Sequence, residues 1–579
     1  DGEGVKNETI RFLTNSTIGL GGLFDPASKL LKVKPTTENM EQALCKCKMK
    51  SGSYMVMPVL NACTPRSLCG RAIEAALDPS VYLATPITAL VKFGLMVNRT
   101  SYMQPLAQML ESTYADPYDI QKKLYGIENY IKNANLDRQN LLETEAKLVE
   151  EDKLSALAEE ITAQTETQED EVGEITGAAA DIDELEIIQK PELTPDILLE
   201  DFKPQSPIVD SMRTALFDNP EIDKSIWNEL SIWNRSFAKR IKTSSVAIVP
   251  ERDEYKFRYI LQKDKNAPLI ILYPSIGEGY NTHHSTVFAK MFFDEGYSIV
   301  MLGSHFHWEF VRSMPEGYCP GIPSQDADNI KLVTHKILDK LENKYECKFD
   351  EKIIIGTSFG ALSSLFVAEK ESKNNTLGIT KYIAISPAVE LVYAVEQLDK
   401  NSDELDNNSP EVKHKTAVTA AKILQITKMK ENNPDMNISA LPFTEQEGKL
   451  ITTFLLRQKL SDLIFTIENI AKGQKTDIYE AINNMSYRDY VEKYLLNGSS
   501  LENMRYETSL YSLADYLVNN DNYRIYHSPD DFFATEGQIK RLKTLAGKHL
   551  VCVSNGSHLG FLYRKEFQEA LKADVLGKI

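Results

Sequence analysis

Residues 353–365 read IIIGTSFGALSSL, and how this stretch folds decides the architecture of the larger part of the chain. Three isoleucines before a glycine form a short continuous apolar run, the pattern of a strand covered on both faces. Gly356 and Gly360 then flank Ser358 as G-x-S-x-G. At a sharp strand-to-helix turn, bulkier neighbours at those two positions would clash, and the serine would be presented at the end of the strand. Two glycines around a serine recur by chance, so the rest of the chain has to supply the partners.

Outward from this stretch, strands alternate with helical segments from Pro204 to Ile579. Strands read at SVAIV, FRYILQ, PLIILYP, SIVMLG, KIIIGTS, YIAIS, YRIYHS and HLVCVS, with helical patterns such as TVFAKMFFDEG and NIKLVTHKILDKLENKY between them. That alternation predicts a doubly wound, mostly parallel eight-stranded α/β sheet. The interval of about 388–521 holds no convincing strand and reads as an inserted helical cap. Insertions after strands are where such folds carry function. The Met- and Leu-rich runs of the cap read as helix–helix packing.

Ser358 follows the fifth of these strands. Asp530 and Asp531 follow the seventh, in YRIYHSPDDFF, and His558 follows the eighth, in HLVCVSNGSHLGF. A serine hydroxyl is a weak nucleophile until a histidine within reach takes its proton. An acid then fixes the imidazole tautomer and stabilises the imidazolium. Asp531 is the favoured acid, as the fourth residue of a turn that begins at Ser528, and Asp530 is the alternative. Two backbone N–H groups are needed for the developing oxyanion. Phe359 supplies one by its position after the serine. The loop SIGEG offers Ile276 or Gly277 for the other, although Pro274-Ser275 precede them.

With 579 residues, two or three domains are expected. The net charge is −18, but 17 acids and 3 lysines fall between residues 141 and 192, so this segment carries −14 and the remainder only −4. That balance excludes the basic footprint of nucleic-acid binding. No uninterrupted apolar run reaches the length of a membrane-spanning helix. The closest, SVYLATPITALVKFGLMV, is broken by Pro86 and Lys92. The chain opens on DGEGVKNETIRF, without an initiator Met or a signal peptide, as expected of a processed start or a fragment.

Cys45, Cys47, Cys63 and Cys69 crowd together in C-x-C and C-x5-C spacings that fit no usual zinc site. Disulfide pairs or free buried thiols remain for them. Cys319, Cys347 and Cys552 read as core residues. His283, His284, His305 and His307 fall on loops after the third and fourth strands with only Glu309 near. They read as rim or core histidines, and no metal or cofactor is expected.

Three regions follow. Residues 1–139 mix apolar helical stretches with turns rich in glycine and proline. Residues 140–203 are acidic and poor in aromatics, and read as a tether, partly helical or disordered. Residues 204–579 hold the α/β domain.

From Gly356 to His558 the chain resembles the α/β-hydrolase superfamily. The resemblance implies a serine hydrolase of esters, thioesters or peptides that uses no cofactor. The first region carries a second resemblance. IRFLTNSTIGLGGLFDPAS, SGSYMVMPVL followed by TPRSLCG, LDPSVYL and ADPYDIQKKLYGIENYI are similar, in that order, to the MlaA (VacJ) family of outer-membrane lipoproteins. That family implies an α-helical ring in the outer membrane, facing the periplasm. Its amphipathic channel returns misplaced phospholipids, beside a trimeric porin and with a soluble periplasmic lipid carrier. By the same resemblance Asn15, Gly19, Gly21, Gly22 and Asp25 belong to a family motif whose glycines permit tight turns. Ser67 stands where the family has an acidic residue, and the lipidated cysteine would precede Asp1. In a periplasmic setting the four clustered cysteines could pair.

Together these readings lead to the expectation of a cell-envelope protein. In it a lipid-handling module is tethered to a capped serine hydrolase of phospholipids, lysophospholipids or other acyl lipids. The alternatives are a transport or scaffold protein whose hydrolase domain is non-catalytic, and an esterase or peptidase with an unrelated substrate.

Overall fold

The computed structural model describes residues 2–18, 26–33, 39–57, 61–77, 110–142, 193–216, 220–227, 236–403, 409–433, 440–468, 476–496 and 498–577. The chain divides into two compact units: residues 1–110 with 117–139, and residues 111–116 with 140–579.

The first unit contains α1 (Gly2–Thr17), α2 (Pro26–Leu30), α3 (Met40–Lys46), β1 (Met55–Met57), β2 (Asn61–Cys63), α4 (Pro65–Leu77) and α5 (Pro117–Asn133). Its helical character matches expectation, with a small antiparallel hairpin of β1 and β2 added. A capping box starts α3: the Asn39 side chain accepts from the Gln42 N–H, and the Gln42 side chain accepts from the Asn39 N–H. Gln42 Nε2 also donates to Lys132 O in the last turn of α5, 2.7 Å away. Asn15 Oδ1 accepts from the Ala27 N–H at 3.1 Å and so joins α1 to α2. Gly19, Gly21, Gly22 and Asp25, the other residues of the family motif, lie outside the described residues. Cys45, Cys47, Cys63 and Cys69 are free thiols, not disulfides. Closeness in sequence spreads them over the end of α3, β2 and α4, with Cys63 buried and Cys47 and Cys69 exposed.

The second unit is built on an eight-stranded sheet. Its strands are β3 (Lys242–Val246), β4 (Tyr255–Ile260), β5 (Leu269–Tyr273), β6 (Ser298–Met301), β7 (Lys352–Thr357), β8 (Lys381–Ile385), β9 (Tyr523–His527) and β10 (Leu550–Cys552). They lie in the order β10-β9-β8-β7-β5-β6-β4-β3. All pairs are parallel except those of β4, which runs antiparallel to β3 and β6. This is the α/β-hydrolase fold. Every residue of β5 is buried, and successive side chains enter opposite layers: Leu269, Ile271 and Tyr273 join one core, Ile270 and Leu272 the other. The sheet is therefore covered on both faces. Helices of this unit include α6 (Pro207–Ser211), α7 (His283–Asp294), α8 (Trp308–Ser313), α9 (Pro323–Tyr345) and α10 (Phe359–Lys373).

Both sheet edges differ from expectation. β3 begins three residues ahead of SVAIV, because an edge strand covered on one face need not follow the most apolar run; its first two residues are exposed. At the other edge, Ile197 bridges Val553 in parallel. The Asp196 and Ile197 N–H groups donate to Cys552 O at 2.8 and 3.0 Å. Residues read as the end of the tether thus cover the edge of β10.

Between β8 and β9 the described residues form a helical cap. It comprises α11 (Leu391–Asp403), α12 (Pro410–Asn432) and α13 (Glu445–Ile467), followed by shorter helices up to Asn519. Residues 111–116, which the sequence places in the first region, pack within the second unit. There Thr113 O accepts from Trp308 Nε1 at 3.2 Å, and the Ala115 N–H donates to Asp462 Oδ1 of α13 at 3.2 Å. Among the described residues no helix is long and apolar enough to cross a membrane.

Candidate active site

The sheet register sets the site. Tyr273 of β5 lies opposite Gly356 of β7, so the loop leaving β5 begins beside the turn leaving β7. Ser358 occupies that turn with φ 52° and ψ −117°, a strained conformation for a residue with a Cβ. Its N–H donates to Ile385 O at 2.8 Å, fixing the turn to β8. Both flanking glycines are required by space. A Cβ on Gly356 would lie 2.4 Å from Gly360 O, and one on Gly360 would lie 2.4 Å from Tyr273 O and from Pro274 O.

His558 reaches the serine from the turn after β10. Its Nε2 lies 2.8 Å from Ser358 Oγ, and its Nδ1 lies 2.9 and 3.2 Å from the two carboxylate oxygens of Asp531. The turn holds Gly556, Ser557 and Leu559 at positive φ. It also packs Gly560 against α6 so closely that a Cβ there would lie 2.2 Å from Asp210 O. The His558 N–H donates to Ser211 Oγ at 3.0 Å, and the Phe533 ring stands edge-on to the imidazole, 4.7 Å between centroids.

Asp531 closes the turn from Ser528, to whose carbonyl its N–H donates at 3.3 Å. Burial opposes its ionisation. The neighbouring His558, its hydrogen bond, the His527 side chain and the Phe533 N–H together hold its carboxyl below the usual range. Asp530 faces elsewhere: its Oδ1 accepts from the Ser528 hydroxyl and, at 2.9 Å, from the Ser557 N–H. Of the two sequence candidates, Asp531 is the one on His558.

The three sequence candidates for the oxyanion donors also separate. Neither the Phe359 N–H, at the first position of α10, nor the Ile276 N–H has a protein acceptor among the described residues. The Gly277 N–H instead donates to Ser304 Oγ at 3.3 Å. Ile276 and Phe359 also line a narrow cleft of about 40 Å³ beneath the cap. Its walls are mainly apolar, with Val392, Val395, Leu495 and Met504 from the cap, and Glu396 and Arg488 as its charged residues.

The four histidines read as loop residues go to separate tasks, and His283 and His284 open α7 rather than lying on a loop. His283 stacks with Trp227, 6.5 Å between centroids. His284 Nε2 lies 3.0 Å from Glu278. His305 is buried against the Phe359 ring, 4.5 Å between centroids. His307 caps α8, its Nδ1 accepting from the Glu309 N–H at 3.3 Å.

Three further residues bear on the site. Ser211 holds the His558 backbone. His527 stands behind Asp531, Nδ1 to Oδ2 3.9 Å. Lys459 of α13 donates to Ile276 O at 2.9 Å. The available signals were slight: a histidine ending the strand YRIYH, and one lysine inside the largely apolar run LLRQKLSDLIF.

Asp531, His558 and Ser358 thus stand in one hydrogen-bonded line at the ends of β9, β10 and β7. Solved structures similar to the chain include an esterase of Pyrococcus furiosus, covering 61% of this chain and 97% of its own at 13% identity and TM-score 0.32. A serine hydrolase of Cycloclasticus zankles covers 58% and 99% at 14% identity and TM-score 0.34. Brefeldin A esterase, a bacterial homologue of human hormone sensitive lipase, covers 65% and 87% at 12% identity and TM-score 0.33. The first region resembles a different family: the MlaA lipoprotein model matches residues 1–130. The intermembrane phospholipid transport system lipoprotein MlaA of Haemophilus influenzae is 33% identical over 119 residues, 20% of this chain. An uncharacterised protein of Rickettsia typhi is 33% identical over 73 residues, 12% of this chain and 29% of its own. The chain spans about half the length, 47%, of the Haemophilus protein it matches.

Proposed function

We propose that the second unit is a serine hydrolase of acyl-lipid esters, working in the cell envelope beside an MlaA-like phospholipid-handling module. One observation carries the hydrolase reading: the continuous line Asp531–His558–Ser358, with contacts of 2.9 and 2.8 Å, at a strained turn. In the first step Ser358 Oγ attacks the ester carbonyl while its proton passes to His558 Nε2. The tetrahedral oxyanion accepts from the Phe359 and Ile276 N–H groups. His558 then returns the proton to the departing alcohol oxygen as the ester C–O bond breaks. Water, deprotonated by His558, hydrolyses the acyl-enzyme and releases the fatty acid.

An ester of a phospholipid or lysophospholipid is the favoured substrate, because the cleft beside both oxyanion donors is lined mainly by apolar cap residues. The likeness of residues 1–130 to MlaA supports the same choice. It also supports an outer-membrane location facing the periplasm, and a trimeric porin and a soluble lipid carrier as partners. A chain joining the two activities would raise the local concentration of what one module releases to the other.

The test is fluorophosphonate labelling of wild type and Ser358→Ala, followed by mass spectrometry after incubation with phospholipids and lysophospholipids. Ser358-dependent labelling with fatty-acid release is expected. Release by Ser358→Ala at the wild-type rate would overturn the proposal. Labelling without lipid turnover would keep the hydrolase and discard the substrate.

A further inference from the structure

We infer that Lys459, on cap helix α13, is a positioning residue that fixes the second oxyanion donor, so that hydrolysis requires the cap to be docked on the loop after β5. This rests on the serine-hydrolase reading and extends it to a residue that lies outside the serine, acid and histidine turns.

The loop Ser275–Gly279 is held peptide by peptide. Ser275 O accepts from the Glu278 N–H at 3.2 Å, and the Ser275 N–H donates to Glu278 Oε2 at 3.2 Å. Because a peptide N–H points opposite to its C=O, binding Ser275 O fixes the direction of the Ile276 N–H. The next peptide is clamped at both ends. Its N–H, from Gly277, meets Ser304 Oγ, and its carbonyl, Ile276 O, meets Lys459 Nζ at 2.9 Å. Ile276 therefore sits between two fixed peptides, and only one of the clamps comes from the cap. A charge-assisted bond is about twice as strong as a neutral one.

The lysine stem lies across the loop. Gly277 has φ +63°, and a Cβ there would come within 2.8 Å of Lys459 Cβ, so the glycine serves both the turn and the close approach of α13. Burial lowers the ammonium pKa, and the nearby Glu278 opposes that effect. Glu278 is half-buried, and against the cost of burial His284 and Lys459 hold its carboxyl down to about 2. The cap thus places a cation at a loop that carries its own half-buried anion.

The experiment compares wild type, Lys459→Met and Lys459→Arg. It measures turnover of a short-chain p-nitrophenyl ester, inhibition by an alkyl trifluoromethyl ketone and inhibition by the matching alkyl alcohol. The ketone forms an oxyanion on the serine; the alcohol does not. In Lys459→Met, kcat and ketone affinity are expected to fall together by about 10- to 100-fold, somewhat less than for outright loss of a donor. KM and alcohol affinity should stay within about twofold, and Lys459→Arg should recover most of the loss. If the Met variant does not fold, Lys459→Gln reads the same split. Unchanged kcat and ketone affinity, or an equal loss of alcohol affinity, would overturn the inference while wild type still labels at Ser358. Absence of Ser358-dependent labelling in wild type would overturn the hydrolase reading and this inference with it.

Discussion

Asp531 meets the His558 imidazole through both carboxylate oxygens, at 2.9 and 3.2 Å, while the residue before it turns away to bind the Ser557 N–H. The adjacent aspartates therefore have different duties. In the proposed hydrolase, one sets the tautomer that leaves His558 Nε2 free to accept the serine proton; the other shapes the turn that carries the histidine.

Asp531→Asn is accordingly expected to lower kcat by about 10⁴-fold, because the amide stabilises the wrong tautomer. Asp530→Asn should keep kcat within about tenfold and cost about 1 kcal/mol through weakened turn hydrogen bonds. Steady-state kinetics on a soluble ester, with urea denaturation of each variant, checks both. Similar kinetic losses in the two variants would contradict the division.

Glycine substitutions should separate by position. In Gly360→Ala the new methyl would lie 2.4 Å from the Tyr273 and Pro274 carbonyl oxygens, and backbone cannot yield as a side chain does. A loss of about 3 kcal/mol or more is expected, at the upper end for overpacking, together with loss of activity. Gly126→Ala, in the middle of α5 with nothing within 4 Å of the added carbon, should gain about 0.5–1 kcal/mol. Chemical denaturation of the full chain measures both.

A buried pair behind Phe359 should give the second unit a pH-dependent stability. Burial raises the Asp326 carboxyl to about 7, against hydrogen bonds from Tyr318 and the Gly321 N–H. Its stabilising contribution is complete below the ordinary value of 3.8 and is lost as pH rises through about 7. His305, 3.6 Å away, has the opposite sign: burial lowers it to about 3. Its contribution is present above 6.5 and is lost as pH falls towards about 3. Asp326→Asn removes only the first effect. The unfolding free energy of the variant, from chemical denaturation, should therefore rise relative to wild type from pH 4 to about 7, with a slope on the order of 1 kcal/mol per pH unit, and level off above. Parallel pH profiles for the two proteins would contradict this.

The central strands and the order of serine, acid and histidine were legible because each depends on local signals: an apolar run, a glycine pair, a short turn. The oxyanion loop was not, because what sets Ile276 apart from Gly277 is the Ser304 hydroxyl on the Gly277 N–H, brought there by the fold from 27 residues away. The edges were obscured for a related reason. A strand with one covered face shows a weak pattern, so SVAIV drew attention past Lys242–Val246. Similarly, Ile197 pairs with the sheet from within a stretch whose composition suggests a tether. The choice between Asp530 and Asp531 rested on turn position alone, and it was the direction of each side chain that distinguished them.

The six residues from Glu111 to Asp116 bring a practical consequence. They fall inside the stretch matched by the MlaA model, yet their main chain completes the surroundings of Trp308 and Asp462. An excised second unit that started at Leu193 would lose the carbonyl that meets the Trp308 indole on α8 and the N–H that meets Asp462 on α13, the helix that carries Lys459. Ancestry and architecture draw their borders in different places, and an expression boundary chosen from the first would cut through the second.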